Sequence, residues 1–182
     1  MDTATHSPQD GRVPRFEIDA DRSQVWLTAR SSLHRIKATT SAVSGWLDSE
    51  VDTDRLDLSR PARARLVVDL EHLATGNPLY DRELRHRVDT DRYPSIVGDL
   101  ATLEPVGDDG HYRVTGDLSF HGVTRSVTDD LEVRLLDPCT VALGGSSSFD
   151  VRDFGLEPPK MLGLRVHPDV EVRVRIVAES PV

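Results

Sequence analysis

One carboxylate in this chain stands where its surroundings could turn it to chemistry. Asp129 alternates with Val127, Leu131, Val133 and Leu135, so a strand running through them carries a single charge on an otherwise apolar face. Such a charge is costly in a dry interior unless it is paired or protonated. Arg125, Arg152 and His34 are the candidate partners. Three readings stay open. Asp129 can anchor a ligand's polar head group, act as a general acid or base whose pKa burial raises, or be a rim or bulge residue turned outward.

Other spacings offer less. His34, in SSLHRIKATT, lies in a loop between strand-like runs, where a solvated histidine competes with a functional one. His111 and His121 share strand parity, but ten extended residues separate them by about 33 Å, too far to share a metal. Arg152-Asp153-Phe154-Gly155 can be an Arg–Asp clasp at one end of the fold or a guanidinium donor to a ligand. Gly144-Gly145 and Ser146–Ser148 are not followed by GK[ST] or a helix, so they do not form a phosphate loop. No G-x-S-x-G elbow is present. Cys139 is the single cysteine, which excludes an intramolecular disulfide, and no Cys/His cluster has zinc spacing. Neither a metal nor another cofactor is expected.

The elements that must position these residues are mostly strands. In ARARLVVDLEHL, Ala62, Ala64, Leu66, Val68 and Leu70 share one face; in HYRVTGDLSF, Tyr112, Val114, Leu118 and Phe120 do, with Gly116 among them. In DVEVRVRIVA, Val170, Val172, Val174 and Ile176 alternate with charges. This is the period of half-buried strands. Further strands are expected at Arg15–Asp19, Ser23–Ser32, Thr39–Asp48, Pro94–Glu104, Thr124–Leu136 and Thr140–Arg152. Turns are expected at Gly107–Gly110 and at His121-Gly122. One segment has helical period. Asn77 can cap, Pro78 suits the first helical position, and Tyr80, Leu84 and Val88 form an i, i+4, i+8 stripe. A short helix over Pro78 to Val88 follows. Eight or nine strands on short loops suggest a barrel or a sandwich.

The chain has 182 residues, 29% charged, with a formal net charge of -9. That opposes binding to a phosphate backbone, so no nucleic-acid partner is expected. The polar N-terminus does not read as a signal peptide, and no window approaches the ~20 apolar residues of a membrane helix. The expectation is a soluble, cytoplasmic protein without stable membrane insertion. Residues 1–12 read as a disordered tail and 13–182 as one barrel domain. An exposed edge or rim can support a homodimer, although no residue points to one.

Several motifs occur in a recognisable order: FEIDADRSQVWL, Gly45-Trp46-Leu47, ATGNPLYDRELRHRVDTDRYPSI, VTGDLSFHGVTRSV and FDVRDFGL. Together they resemble the YceI-like family, bacterial proteins associated with polyisoprenoid binding, over nearly all of the chain beyond the tail. The resemblance implies an all-β fold, an eight-stranded antiparallel lipocalin-like barrel with one short helix. It also implies an internal apolar channel for a long-chain lipid, no metal and, in general, no catalysis. Val88-Asp89-Thr90 replaces the family's usual aromatic doublet, and Asp129 stands where an apolar residue is usual. Both bear on the ligand more than on the fold.

The expected function is therefore carriage or sequestration of an apolar chain: polyisoprenoid, quinone or fatty-acid-like. Ala29, Gly45, Ala62, Ala64 and Gly116 are small inward residues that leave room for it. The candidate ligand-binding residues are Leu27, His34, Leu66, Val68, Leu118, Phe120, Asp129, Leu131, Val133, Phe149, Arg152 and Phe154. The alternatives are a dry, filled barrel, or a small lipocalin-like isomerase, cyclase or hydratase using Asp129 with His34 or Arg125.

Overall fold

The computed structural model describes residues 13–107, 109–158, 160–161 and 164–181. The expected tail lies outside them. The strands are β1 (Arg15–Ile18), β2 (Gln24–Ser31), β3 (Arg35–Thr40), β4 (Val43–Asp48), β5 (Glu50–Asp52), β6 (Arg55–Asp57) and β7 (Arg63–Asp69). After helix α1 (Pro78–Val88) come β8 (Ser95–Pro105), β9 (His111–Phe120), β10 (Val123–Asp137), β11 (Thr140–Asp150), β12 (Lys160–Met161) and β13 (Leu164–Glu179).

Pairing runs β1-β4-β7-β8-β9-β10-β11-β13 and returns to β1 through Ile18↔Ala178 and Glu17↔Glu179. Every pairing in the ring is antiparallel. The fold is thus the expected closed, eight-stranded barrel with one short helix. Closure removes the exposed edges an open sheet would carry. The β2–β3 hairpin prolongs one side of the wall, with β2 paired to β13.

Alternation sets which side chains face inward. The rungs Tyr112↔Leu131, Val114↔Asp129, Gly116↔Val127 and Leu118↔Arg125 place both inward sets on one face. His121 and Gly122 both have positive φ, 49° and 76°, as the two-residue turn between Phe120 and Val123 requires. That corner is a hairpin joining two staves.

Helix α1 forms for local reasons. The Asn77 side chain accepts from the Leu79 amide at 3.0 Å, Pro78 opens the helix, and left-handed Asp89 ends it. Val88 and Leu84 pack with Leu70, Leu73 and Ala38, plugging one end of the barrel. At the opposite end the β5–β6 hairpin brings Leu56 onto Phe16, Leu47, Tyr112, Val133, Val141 and Ala178.

Three elements differ from expectation. The run Thr39–Asp48 breaks into β3 and β4, where the Thr40 hydroxyl accepts from the Ala42 amide at 3.0 Å. The β5–β6 hairpin was not foreseen in so polar a stretch. The last strand starts at Leu164, earlier than the alternation indicates. Its register slips between Val166 and Val170, where Pro168 has no amide to give a ladder.

Candidate functional site: an apolar cavity with a slotted wall

Between the two plugged ends lies a cavity of about 470 Å³, within the ~300–1,000 Å³ range of small-molecule sites. Its wall is mainly aliphatic. Leu27, Leu66, Val68, Leu118, Phe120, Asp129, Leu131, Phe149 and Phe154 of the expected set border it, together with Ile36, Leu73, Leu84, Ile96, Val172 and Val174. His34, Val133 and Arg152 do not. His34 is exposed at the β2–β3 tip, its ring 6.5 Å from that of Tyr80. Val133 is buried in the end cluster with Leu56. Arg152 is exposed and chelates Asp150, with its Nη2 at 2.5 Å.

The small residues act in two ways. A Cβ on Gly45 would lie 1.9 Å from the Arg65 carbonyl oxygen, and one on Gly116 would lie 2.4 Å from that of Asp99. Both glycines permit close strand approach; Gly116 also borders the cavity, whereas Gly45 does not, which corrects the expectation for Gly45 alone. Gly98 does the opposite. It pairs between Leu66 and Leu118, borders the cavity, and a Cβ there would meet nothing within 4 Å. The ambiguous run SIVGDL hid this position, although strand parity with Ile96 and Leu100 would have found it.

The wall is split beside Asp129. Leu131↔Gly145 is the last rung joining β10 to β11. Beyond it β10 continues to pair with β9, and β11 with β13. Thr128, Asp129, Ser146, Ser147, Ser148 and Glu171 line the resulting slot. Asp129 borders both slot and cavity and is partly exposed. Contact with solvent through the slot reduces the cost of its charge. Among the described residues it has no ion pair. Arg125 donates from Nε to the Asp153 carbonyl at 3.0 Å instead.

A short 3-10 turn, Val151–Phe154, closes the slot's far end. Phe154 is 3% exposed and its ring centroid lies 5.7 Å from that of Phe120, a tilted aromatic contact. Gly155 caps the turn with φ 75°. The Arg152-Asp153-Phe154-Gly155 stretch therefore holds the wall through Phe154, and the Arg152 clasp closes onto Asp150 rather than Asp153. Both tryptophans carry an arginine over their rings, and Trp46 also borders the cavity. Trp46 lies under Arg15 (4.2 Å) and Trp26 under Arg173 (5.7 Å), both on the outward-facing parity.

Among the described residues no group of three or more His, Cys, Asp or Glu side chains comes together to hold a metal. No helix among them is long and apolar enough to cross a membrane.

The fold is thus a closed antiparallel barrel around an apolar cavity. The chain belongs to the YceI-like family, whose domain model matches residues 16–178. No protein with a curated description matches it. Among solved structures it is similar to a polyisoprenoid-binding domain from Saccharophagus degradans, with TM-score 0.77 and 19% identity over 93% of this chain and 99% of that one. It is also similar to BcnA of Burkholderia cenocepacia, with TM-score 0.75 and 17% identity over 88% and 99%. The YCEI protein of Campylobacter jejuni aligns with TM-score 0.56 and 15% identity over 75% and 82%. At these identities the likeness bears on the fold.

Proposed function

We propose that this protein binds one apolar chain inside the barrel and carries or sequesters it. The observation that carries this reading is the mainly aliphatic cavity inside the barrel, with Gly98 leaving open space in its wall. Each buried methylene contributes about 0.8 kcal/mol, so a chain of ten offers roughly 8 kcal/mol before ordering costs. Family membership and the polyisoprenoid-binding neighbour support a polyisoprenoid, a quinone tail or a fatty-acyl chain as the ligand class.

The slot gives a polar terminus somewhere to sit. Asp129 and the hydroxyls of Thr128, Ser146 and Ser147 suit a hydrogen-bond donor, such as a hydroxyl, better than an anion.

A catalytic reading needs a second group beside Asp129. Arg125 lies four residues along the strand, about 13 Å away, and His34 is at the hairpin tip. Neither forms a pair with Asp129, so neither dyad expected for acid–base chemistry is assembled.

Native mass spectrometry and organic extraction of unstripped protein test the proposal. A co-purifying lipid is expected. Protein that carries nothing, and that takes up neither a fluorescent fatty acid nor a polyprenol, overturns it.

A further inference from the structure

We propose that the β2–β3 hairpin end of the barrel docks peripherally on an anionic lipid bilayer. Leu33 at the hairpin tip is 79% exposed, and Leu79 at the start of α1 is 54% exposed. The His34–Tyr80 ring contact brings these two segments together. The tip is held in shape: the Ser31 hydroxyl donates to the His34 carbonyl at 2.7 Å, and the Ser32 amide to that of Arg165 at 2.9 Å. Leu33 is therefore presented by ordered backbone.

Around it stand Arg30, Arg35, Lys37 and Arg165, all exposed. Arg30 and Arg35 are directly opposed across the hairpin, an arrangement that costs stability. Among the described residues none of the four has an ion pair. Elsewhere Arg15, Arg22, Arg65, Arg113 and Arg134 each hold a carboxylate, while other exposed arginines without an ion pair among the described residues, such as Arg55 and Arg63, stand on strands that carry no exposed leucine. The acids nearest in the ladder are Asp169, which precedes the Val170↔Ala29 rung and so lies across from Arg30 without forming an ion pair with it among the described residues, and Glu171, two strands from Lys37. Asp81, at the start of α1, accepts from the Thr75 amide and hydroxyl. A chain of net charge -9 thus places four cations without ion pairs beside Leu33, the most exposed leucine among the described residues. That combination fits an anionic lipid surface.

The opposite end is a natural control. Leu136 and Val106 are exposed there, 52% and 40%, but among acids (Glu104, Asp109, Asp137) and paired arginines. The docking end is also where Ala29, Ile36, Thr75 and Val166 border the cavity. A docked barrel would present that side of its interior to the bilayer. This purpose rests on the lipid-carrier reading; the docking does not.

The test is flotation of the full chain with vesicles of mixed phosphatidylglycerol and phosphatidylcholine, against phosphatidylcholine alone. The protein should float with the anionic vesicles and be released at about 0.5 M salt. Arg30→Glu/Arg35→Glu should lower partitioning by at least tenfold, taking about fivefold per cation. Leu33→Asp should weaken it as well, and Leu136→Asp should leave it unchanged. Arg30→Gln/Arg35→Gln, which relieves the like-charge pair, guards against loss of fold and should also weaken flotation. No flotation, equal flotation with both vesicle types, or insensitivity to both arginine variants overturns the proposal. So does equally tight retention on single-stranded DNA that ignores Leu33→Asp, the mark of a general polyanion site. Docking that persists in protein yielding no lipid on extraction supports this inference while sinking the cargo reading.

Discussion

Leu131 pairs with Gly145, and that rung is the last between β10 and β11. Asp129, two residues on, therefore faces a slot rather than a sealed interior. Removing its charge should cost little: Asp129→Leu is expected to shift stability by less than about 1 kcal/mol, with no partner left unsatisfied. Wholly apolar chains should bind tighter to the variant, and chains ending in a hydroxyl weaker. Thermal unfolding and competition binding check both. A loss above about 3 kcal/mol would mean the carboxylate is held by a partner.

Gly98 and Gly116 should respond oppositely to an added methyl group. Gly98→Ala has open space and should be neutral or mildly stabilising, because glycine is a poor strand residue. Gly116→Ala must displace the Asp99 carbonyl and should cost at least about 2 kcal/mol. Gly98→Phe should keep the fold while filling the cavity. Displacing three methylenes of ligand removes roughly 2.4 kcal/mol, close to a sixtyfold loss in affinity. Calorimetry with a fatty acid or polyprenol reads it directly.

Phe154→Ala should destabilise the barrel by about 3–5 kcal/mol, as buried phenylalanine truncations do. Its effect should concentrate at the slot. Hydrogen exchange is expected to rise in 146–155 and in 123–130 before it rises in β7 or β8.

Acid should loosen particular turns. The Arg152 guanidinium and amide hold the Asp150 carboxyl below the usual carboxylate range. Amides do the same elsewhere, from Ser59 for Asp57 and from Cys139 for Asp137. An acid whose pKa is lower folded than unfolded stabilises fully above the unfolded value. That contribution is lost as pH falls through the folded value. Stability should therefore be insensitive to these groups near neutrality and decline below about pH 4. In Arg152→Gln, exchange at 151–155 should already be raised at pH 7 and respond less to acid.

Much of the fold was legible because its determinants are local. The Asn77 cap, Pro78 and the stripe to Val88 bound α1 at the residues where it lies. Alternation assigned Leu118, Phe120 and Leu131 to the inner face. What alternation does not encode is whether facing side chains meet. Gly45 and Gly98 read alike in sequence, yet one lies against a carbonyl and the other against empty space. Asp129's surroundings depend on β10 and β11 parting, a long-range pairing choice. The β5–β6 hairpin was hidden because Leu56 alone supplies its buried anchor amid Asp, Thr and Arg.

The ring closes where β1 meets the end of β13, and Ser23 Oγ accepts from the Val177 amide across 154 residues of sequence. Such distant pairing makes folding slow relative to helical domains. It also means a ribosome-bound chain lacking its last segment has no shut container. Ring closure must wait until β13 has been made. The two sequence ends of the domain lie side by side, so joining them and opening the chain at an exposed loop such as 52–55 should give a permuted barrel whose synthesis order, and with it the moment the container closes, is changed.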